Sequence, residues 1–157
     1  MEYKDLLIEF AARIGISDDI CLDDDGVWRI GTEDIVFSFR EVPERDALLV
    51  YSSIGELPPR GAESFKAAIL QANFLEQGMP CGVFSLDKDN QVWIHRYFDL
   101  KAIDVTKLMD DFENFVTLAL EWRRLKDASR DEAEMDEVLP PDGDLVAGRS
   151  DFDFVRI

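Results

Sequence analysis

The spacing of apolar residues predicts a helix at the start of the chain. Over residues 3–14 one helical face is apolar, and it consists of Tyr3, Leu6, Leu7, Phe10 and Ile14. Gly15 supplies an end for this helix. Ile8 lies off the apolar face, either as a singly exposed residue or as part of a docking surface.

Between residues 20 and 53 the apolar period changes to two, which predicts strands. Residues 20–22 and 27–30 are predicted to form pieces of one strand, bent around an acidic turn at 23–26. Two further strands are predicted. In the first, Ile35, Phe37 and Phe39 alternate with Val36, and in the second, Leu48 and Val50 alternate with Leu49 and Tyr51. Short turns between them predict an antiparallel meander. Because neither face is clearly polar, the pattern indicates cover on both faces.

The remaining apolar pattern predicts a helix, a hairpin and a long helix. A connector rich in Pro and Gly at residues 54–61 precedes a helix over residues 64–77. Residues 81–86 and 91–98 form the hairpin, and Asp104 is placed to cap a last helix that runs to residue 125. The predicted fold is therefore α+β, an antiparallel sheet with helices in the order α-βββ-α-ββ-α.

The chain divides at residue 126 into a predicted domain, 1–126, and an acidic tail, 127–157. The tail holds ten acidic and three basic residues with Pro140 and Pro141, which predicts a flexible, solvated segment. Phe152, Phe154 and Ile157 alternate loosely with polar residues, so a short docking strand is the alternative to disorder. The composition favours disorder.

The helix over residues 64–77 has two apolar stripes instead of one. The first stripe consists of Phe65, Ala68, Ile69, Ala72 and Leu75, and the second of Ala67, Leu70 and Phe74. A second copy of the chain about a two-fold axis would bury the extra stripe. The alternative is a central helix buried on both sides within one chain. The dimer is favoured because the flanking segments predict one sheet layer and two helices with single stripes.

The charge of the chain limits its partners. Of 157 residues, 34 are acidic and 17 basic, for a net charge of -17, which argues against nucleic acid and membrane surfaces as partners. No apolar run has the length of a membrane span, and the acidic N-terminus is unlike a signal peptide. We therefore expect a cytoplasmic protein.

No motif predicts catalysis, a metal site or a cofactor. Cys21 and Cys81 lack metal-ligand spacing and are expected to be small buried residues in strands. A calcium loop aligned on Gly26 fails because Thr32 stands where a bidentate Glu is required. The single histidine, His95, lies in an alternating strand between Trp93 and Tyr97, which favours a structural role.

Several phrases, in this order, resemble the class I type III secretion chaperones of the Tir-chaperone-like family. They are LLIEFAARIGI, LDDDGVWRI, LLVYSSIGELPP, ILQANFLEQG and CGVFSLDKDNQVWIHRYF, which fall within residues 3–125. The resemblance implies a cytoplasmic bacterial homodimer that uses no nucleotide. It further implies binding of the N-terminal segment of a secreted effector in extended form and delivery to the secretion apparatus, with the secretion ATPase as a further partner.

The resemblance also implies two groups of site residues. The dimer interface maps to the helix over residues 64–77, at Phe65, Ala68, Ile69, Ala72, Asn73 and Leu75. The effector-binding patches map to the first helix and the sheet, at Leu6, Ile8, Phe10, Ile35, Phe37 and Phe39. The face that contains Val36, Leu49 and Tyr51 is the alternative if the chain does not cover it. An exposed strand edge beside such a face would accept an extended peptide.

Two other functions stay open at this stage. A regulatory or adaptor protein of the same fold would bind a folded partner or a small ligand outside secretion. A small acidic enzyme would use a carboxylate together with His95. We favour the chaperone because of the surplus apolar stripe, the acidity and the order of the elements.

Overall fold

The computed structural model describes residues 2–16, 20–32, 34–74 and 82–128 and the backbone of residues 155–156. The helices are α1 (Tyr3–Arg13), α2 (Ala62–Ala72) and α3 (Val105–Ala128). The strands are β1 (Val27–Gly31), β2 (Val36–Val42), β3 (Ala47–Glu56), β4 (Val83–Leu86), β5 (Gln91–Asp99) and β6 (Val155–Arg156), with a 3-10 turn at Pro43–Arg45. The predicted α+β fold and its order α-βββ-α-ββ-α are confirmed.

The strands form one antiparallel sheet in the order β4-β5-β3-β2-β1-β6. The ten-residue β3 lies at its centre and pairs with β2 and β5. Its register shifts between Ser53 and Gly55, where a β-bulge bends the strand. Gly55 has a φ of +101°, a conformation that favours glycine.

The three helices pack against one face of the sheet, called here the inner face. Phe10 of α1 lies 5.5 Å from Phe39, and Phe112 of α3 lies 5.2 Å from Phe37, both between ring centroids. At the β4 end Trp122 contacts Phe65 of α2 and Phe84 of β4. The core therefore consists of aromatic side chains of the inner face together with aromatic side chains from each of the three helices.

Polar groups fix the helices on this core. The hydroxyl of Tyr3 donates to the carbonyl oxygen of Phe39 at 2.9 Å, and burial raises the pKa of that hydroxyl. Asp104 accepts from the backbone N–H of Lys107 at 2.8 Å, so it caps α3 as predicted. Asp111 of α3 lies 3.4 Å from the guanidinium of Arg96 on β5, which joins α3 to the sheet.

Some local predictions were wrong. Residues 20–22 form no strand, and Cys21 is exposed instead of buried. The acidic turn has its own hydrogen bonds, since Asp23 Oδ1 accepts from the N–H groups of Asp25 and Val27, and the chain extends only from Val27. Cys81 lies outside the described residues. At the end of the tail, Val155–Arg156 is a strand, which was the alternative that the composition disfavoured.

Candidate protein-binding surfaces

The second face of the sheet, called here the outer face, carries a continuous group of apolar and aromatic side chains. On β3, β4 and β5 these are Leu49, Tyr51, Val83, Trp93, His95 and Tyr97, which the strand register places side by side. Tyr97 is 43% and Val83 38% exposed, and the others are half-buried. Among the described residues no helix covers this face, because α1, α2 and α3 all pack against the inner face, so the predicted cover is seen on the inner face.

The rings of the outer face contact each other and one guanidinium group. The centroids of Tyr51 and Trp93 are 6.0 Å apart, and those of His95 and Tyr97 are 6.1 Å apart at an angle of 85°. The guanidinium of Arg45, in the 3-10 turn, lies 4.8 Å from the Tyr97 centroid. Such contacts hold the rings in place, so they offer a partner a large apolar area at low entropy cost.

Asp87 fixes Trp93 from the turn between β4 and β5. Its Oδ2 accepts from Trp93 Nε1 at 2.8 Å, and its Oδ1 accepts from the backbone N–H groups of Gln91 and Asp89. These bonds, above all that from Trp93, hold the pKa of Asp87 below its ordinary value. One carboxylate thus shapes the turn and positions an aromatic side chain of the outer face.

His95 lies within the aromatic surface. Its Nδ1 is 3.4 Å from the hydroxyl oxygen of Ser85, and its ring contacts Tyr97. Burial lowers the pKa of the imidazole below its ordinary value, which favours the neutral ring. A half-buried ring beside a serine and a tyrosine extends the aromatic area of the outer face.

Most of the residues predicted to bind an effector lie in the core of the chain. Leu6, Phe10, Ile35, Phe37 and Phe39 are all buried, between 0% and 2% exposed. They form the inner face or the helix side that packs on it, so in this conformation they offer a partner no surface. Ile8 differs, since it lies on the solvent side of α1 and is 49% exposed.

The two stripes of α2 have different surroundings. Phe65, Ile69 and Ala72 are buried within the chain, and Ala68 is partly buried. Leu75 lies outside the described residues. On the second stripe Leu70 is 69% and Phe74 62% exposed, the highest values among the large hydrophobic residues described. The apolar side chains that α2 offers to a partner are therefore those of the second stripe, which the resemblance did not assign.

Asn73 joins the end of α2 to the outermost strand, β4. Its Nδ2 donates to the carbonyl oxygen of Phe84 at 3.0 Å, and its Oδ1 accepts from the Phe84 N–H at 2.9 Å. The side-chain amide therefore pairs with this edge as a neighbouring strand would. α2 and β4 form one end of the molecule, which also carries the exposed Leu70, Phe74 and Leu86.

Sequence reasoning identified the outer face only as an alternative. The period-two pattern had already grouped Trp93, His95 and Tyr97, and it separated Leu49 and Tyr51 from Leu48 and Val50. The pattern cannot tell which face the helices cover when both faces are apolar. The sequence pattern therefore showed that both faces of the sheet are apolar, but it did not show which face the helices cover.

In the part of the chain that the structure describes, no group of His, Cys, Asp and Glu is arranged to hold a metal ion. Across the same ranges, no helix has both the length and the apolar character needed to cross a bilayer.

The fold and surfaces define a protein-binding domain of helices on one antiparallel sheet. The sequence profile of the Tir chaperone protein (CesT) family matches residues 5–123, so the chain belongs to this family. The family is one of chaperones, and the resemblance seen in the sequence is confirmed. No curated protein matches the chain by sequence.

Solved structures of similar fold include chaperone complexes. The ExsC-ExsE complex matches with a TM-score of 0.62 at 20% identity, covering 78% of this chain and 92% of that one. The Yersinia pestis type III secretion chaperone SycH, solved with a fragment of YscM2, matches at 0.63 and 21% identity, covering 77% and 99%. The HopA1-SchA chaperone-effector complex matches at 0.62 and 17% identity, covering 78% and 93%.

Proposed function

We propose that this protein is a cytoplasmic bacterial chaperone of type III secretion. It binds the N-terminal segment of a secreted effector in extended form and keeps that segment competent for secretion. The observation that carries the proposal is the outer face, an apolar and aromatic surface in a chain of a chaperone family. Chaperone complexes with YscM2 and HopA1 among the similar structures support this assignment.

The outer face is the proposed client-binding surface. The Tyr97 side chain is exposed, and its ring contacts the Arg45 guanidinium and the His95 ring. Exposed aromatic side chains held in this way are typical anchors of protein interfaces. An extended client would lay alternate apolar side chains on this face. Because the bound client segment stays extended and does not fold, it remains ready for export.

Truncation of Tyr97 tests this surface. We expect Tyr97→Ala to weaken binding by about 2 kcal/mol, roughly 30-fold in Kd. The proposal predicts that the client is a secreted protein encoded near this chain's gene, and the probe is the N-terminal segment of that protein, titrated by calorimetry. Glu113→Ala, an exposed change on α3, is the control and should leave Kd unchanged.

The outcomes separate the surface from the function. Equal affinity of Tyr97→Ala and Glu113→Ala would remove the outer face as the binding surface. No binding of any secreted N-terminal segment would remove the proposed function. Amide exchange of the bound client should show protection along an extended stretch, whereas a client that folds cooperatively on binding would contradict chaperoning in extended form.

We further propose that the chain is a homodimer, joined through the second stripe of α2 at the β4 end. Leu70 and Phe74 are the most exposed large hydrophobic residues described, and a second copy would bury them. Leu70→Asp would place a charge in that interface and should cost about 3 kcal/mol of dimer stability, roughly 100-fold in dissociation constant.

Light scattering measures the effect of Leu70→Asp. The wild type should have the mass of two chains and Leu70→Asp that of one. Ser64→Asp adds the same charge at another exposed position of α2 and should stay dimeric. A monomeric wild type would overturn the dimer, and a dimeric Leu70→Asp would move the interface elsewhere.

A further inference from the structure

The backbone of β1 has an edge that faces away from β2. Where the two strands turn, the N–H of Thr32 donates to the carbonyl oxygen of Ile35 at 3.0 Å. Alternate residues of a strand direct their N–H and C=O groups to the same side. The even-numbered residues of β1 therefore pair with β2. The backbone groups of the odd-numbered residues point away from β2, and this side of the strand, called here the β1 edge, can accept another strand.

The acidic turn closes one end of this β1 edge. The Val27 N–H donates to Asp23 Oδ1 at 2.8 Å, and the Asp23 N–H donates to the Val27 carbonyl oxygen at 3.0 Å. These bonds confirm that an odd-numbered residue faces outward. They also fix the turn, since Asp23 in addition forms an ion pair with Arg29.

The C-terminal strand β6 lies at the other end of the β1 edge. Val155 is opposite Gly31 and Arg156 opposite Ile30 in an antiparallel register. Gly31 is the odd-numbered member, so its N–H and C=O face β6. Among the residues that the structure describes, these two pairs join β6 to the five-residue β1. Residues 129–154 connect β6 to α3 along the chain.

We infer that the β1 edge is a strand-acceptor site whose resident occupant is the chain's own C-terminal strand. A strand that is part of the same chain holds an edge through its proximity. Another extended segment that pairs with Gly31 has to displace β6, because Val155 occupies that position. This last step rests on the proposed function: the displacing segment is the client, and β6 leaves the β1 edge when the client binds.

Amide exchange in the full-length chain tests the pairing. In the double variant Val155→Pro/Arg156→Pro the N–H groups of β6 are lost, and the exchange rate of the Gly31 amide should rise by about tenfold or more. Val146→Pro, a proline elsewhere in the tail, should leave that rate unchanged. An unchanged Gly31 rate in the double variant overturns the inference.

A peptide added in trans tests the acceptor site without any client. The peptide RSDFDFVRI, residues 149–157, should restore protection of Gly31 in the double variant at millimolar concentration. The same peptide with proline at the positions of Val155 and Arg156 should not. If RSDFDFVRI restores no protection, the edge is not an acceptor site and the inference fails.

Client affinity tests the displacement. The N-terminal segment of the neighbouring secreted protein should bind the double variant about fivefold more tightly than the wild type, because no occupant has to leave. Equal affinities, with Gly31 deprotected in the variant, overturn the displacement. If neither form binds a client while RSDFDFVRI protects Gly31, the proposed function fails and the acceptor site stands.

Discussion

Asn73 carries a role that depends on its amide having both a donor and an acceptor. Its two bonds to Phe84 satisfy an N–H and a C=O that β4 turns away from β5. Aspartate has the same shape but only accepts, and its charge would face the Phe84 carbonyl. An amide is therefore required at position 73, because a side chain of the same size that only accepts cannot make both bonds.

We expect Asn73→Asp to lower the free energy of unfolding by about 1–3 kcal/mol, because a donor is lost and the Phe84 carbonyl is left unpaired. Urea denaturation at fixed protein concentration measures the change. Gln71→Glu makes the same chemical change at an exposed position of the same helix and should have little effect. Equal losses for the two variants would contradict the role of the pairing.

His95 should make the protein sensitive to mild acid. Its folded pKa lies below the ordinary value of 6.5 because burial disfavours the charged ring. The unfolded chain therefore binds the proton more readily, and stability should fall as the pH drops below about 6.5, until the folded form also becomes protonated. An NMR titration should place the midpoint of His95 below 6.5.

His95→Gln is the test of the assignment, since it removes the titrating group and keeps a polar side chain. The slope of stability with pH just below 6.5 should flatten in this variant. A wild-type midpoint at or above 6.5 would show that the ring is not desolvated. Client affinity of His95→Gln should change far less than that of Tyr97→Ala.

Among the secondary structure elements, β3 departs from regular geometry at its bulge. Gly55 has a φ of +101°, and a Cβ there would lie 3.0 Å from Lys126 Nζ. The bulge bends β3 toward the end of α3. A glycine is required by the backbone, because the lysine head group can move and the backbone conformation cannot.

Gly55→Ala should therefore cost about 1–3 kcal/mol of stability, measured by thermal unfolding. Gly26→Ala is the matched control, because Gly26 also has a positive φ, +72°, but no atom lies within 4 Å of its added Cβ. Its φ is closer to the left-handed helical region, and we expect a cost of about 1 kcal/mol. A smaller effect at Gly55 than at Gly26 would contradict the strained bulge.

The elements were largely predictable from sequence, because the periods of two and 3.6 follow from backbone geometry. Period alone could not show that residues 20–22 stay irregular, since it does not register that the Asp23 carboxylate binds the backbone of its own turn. It also could not choose between the two faces of a sheet in which Phe37 and Tyr51 are both apolar. That choice depends on contacts such as that between Phe37 and Phe112, far apart in sequence.

For the whole molecule, the proposed dimer links stability to concentration. The melting temperature of the wild type should rise by about 2–4 °C for each tenfold increase in protein concentration, since association stabilises only the folded chains. Leu70→Asp should show no such dependence. Calorimetry over a hundredfold range of concentration measures this, and a wild-type value independent of concentration would contradict the dimer.

The pairing of Asn73 with Phe84 at one end of the sheet has a consequence for survival of the protein in a crowded cell. An uncovered apolar face invites other chains, and an open strand edge beside it would let them stack without limit into fibres. Here the Asn73 amide engages β4 at one end of the sheet, and Asp23 and β6 engage the β1 edge at the other. These contacts hinder edge-to-edge stacking, so the chain can carry exposed apolar surface without polymerising through its strands.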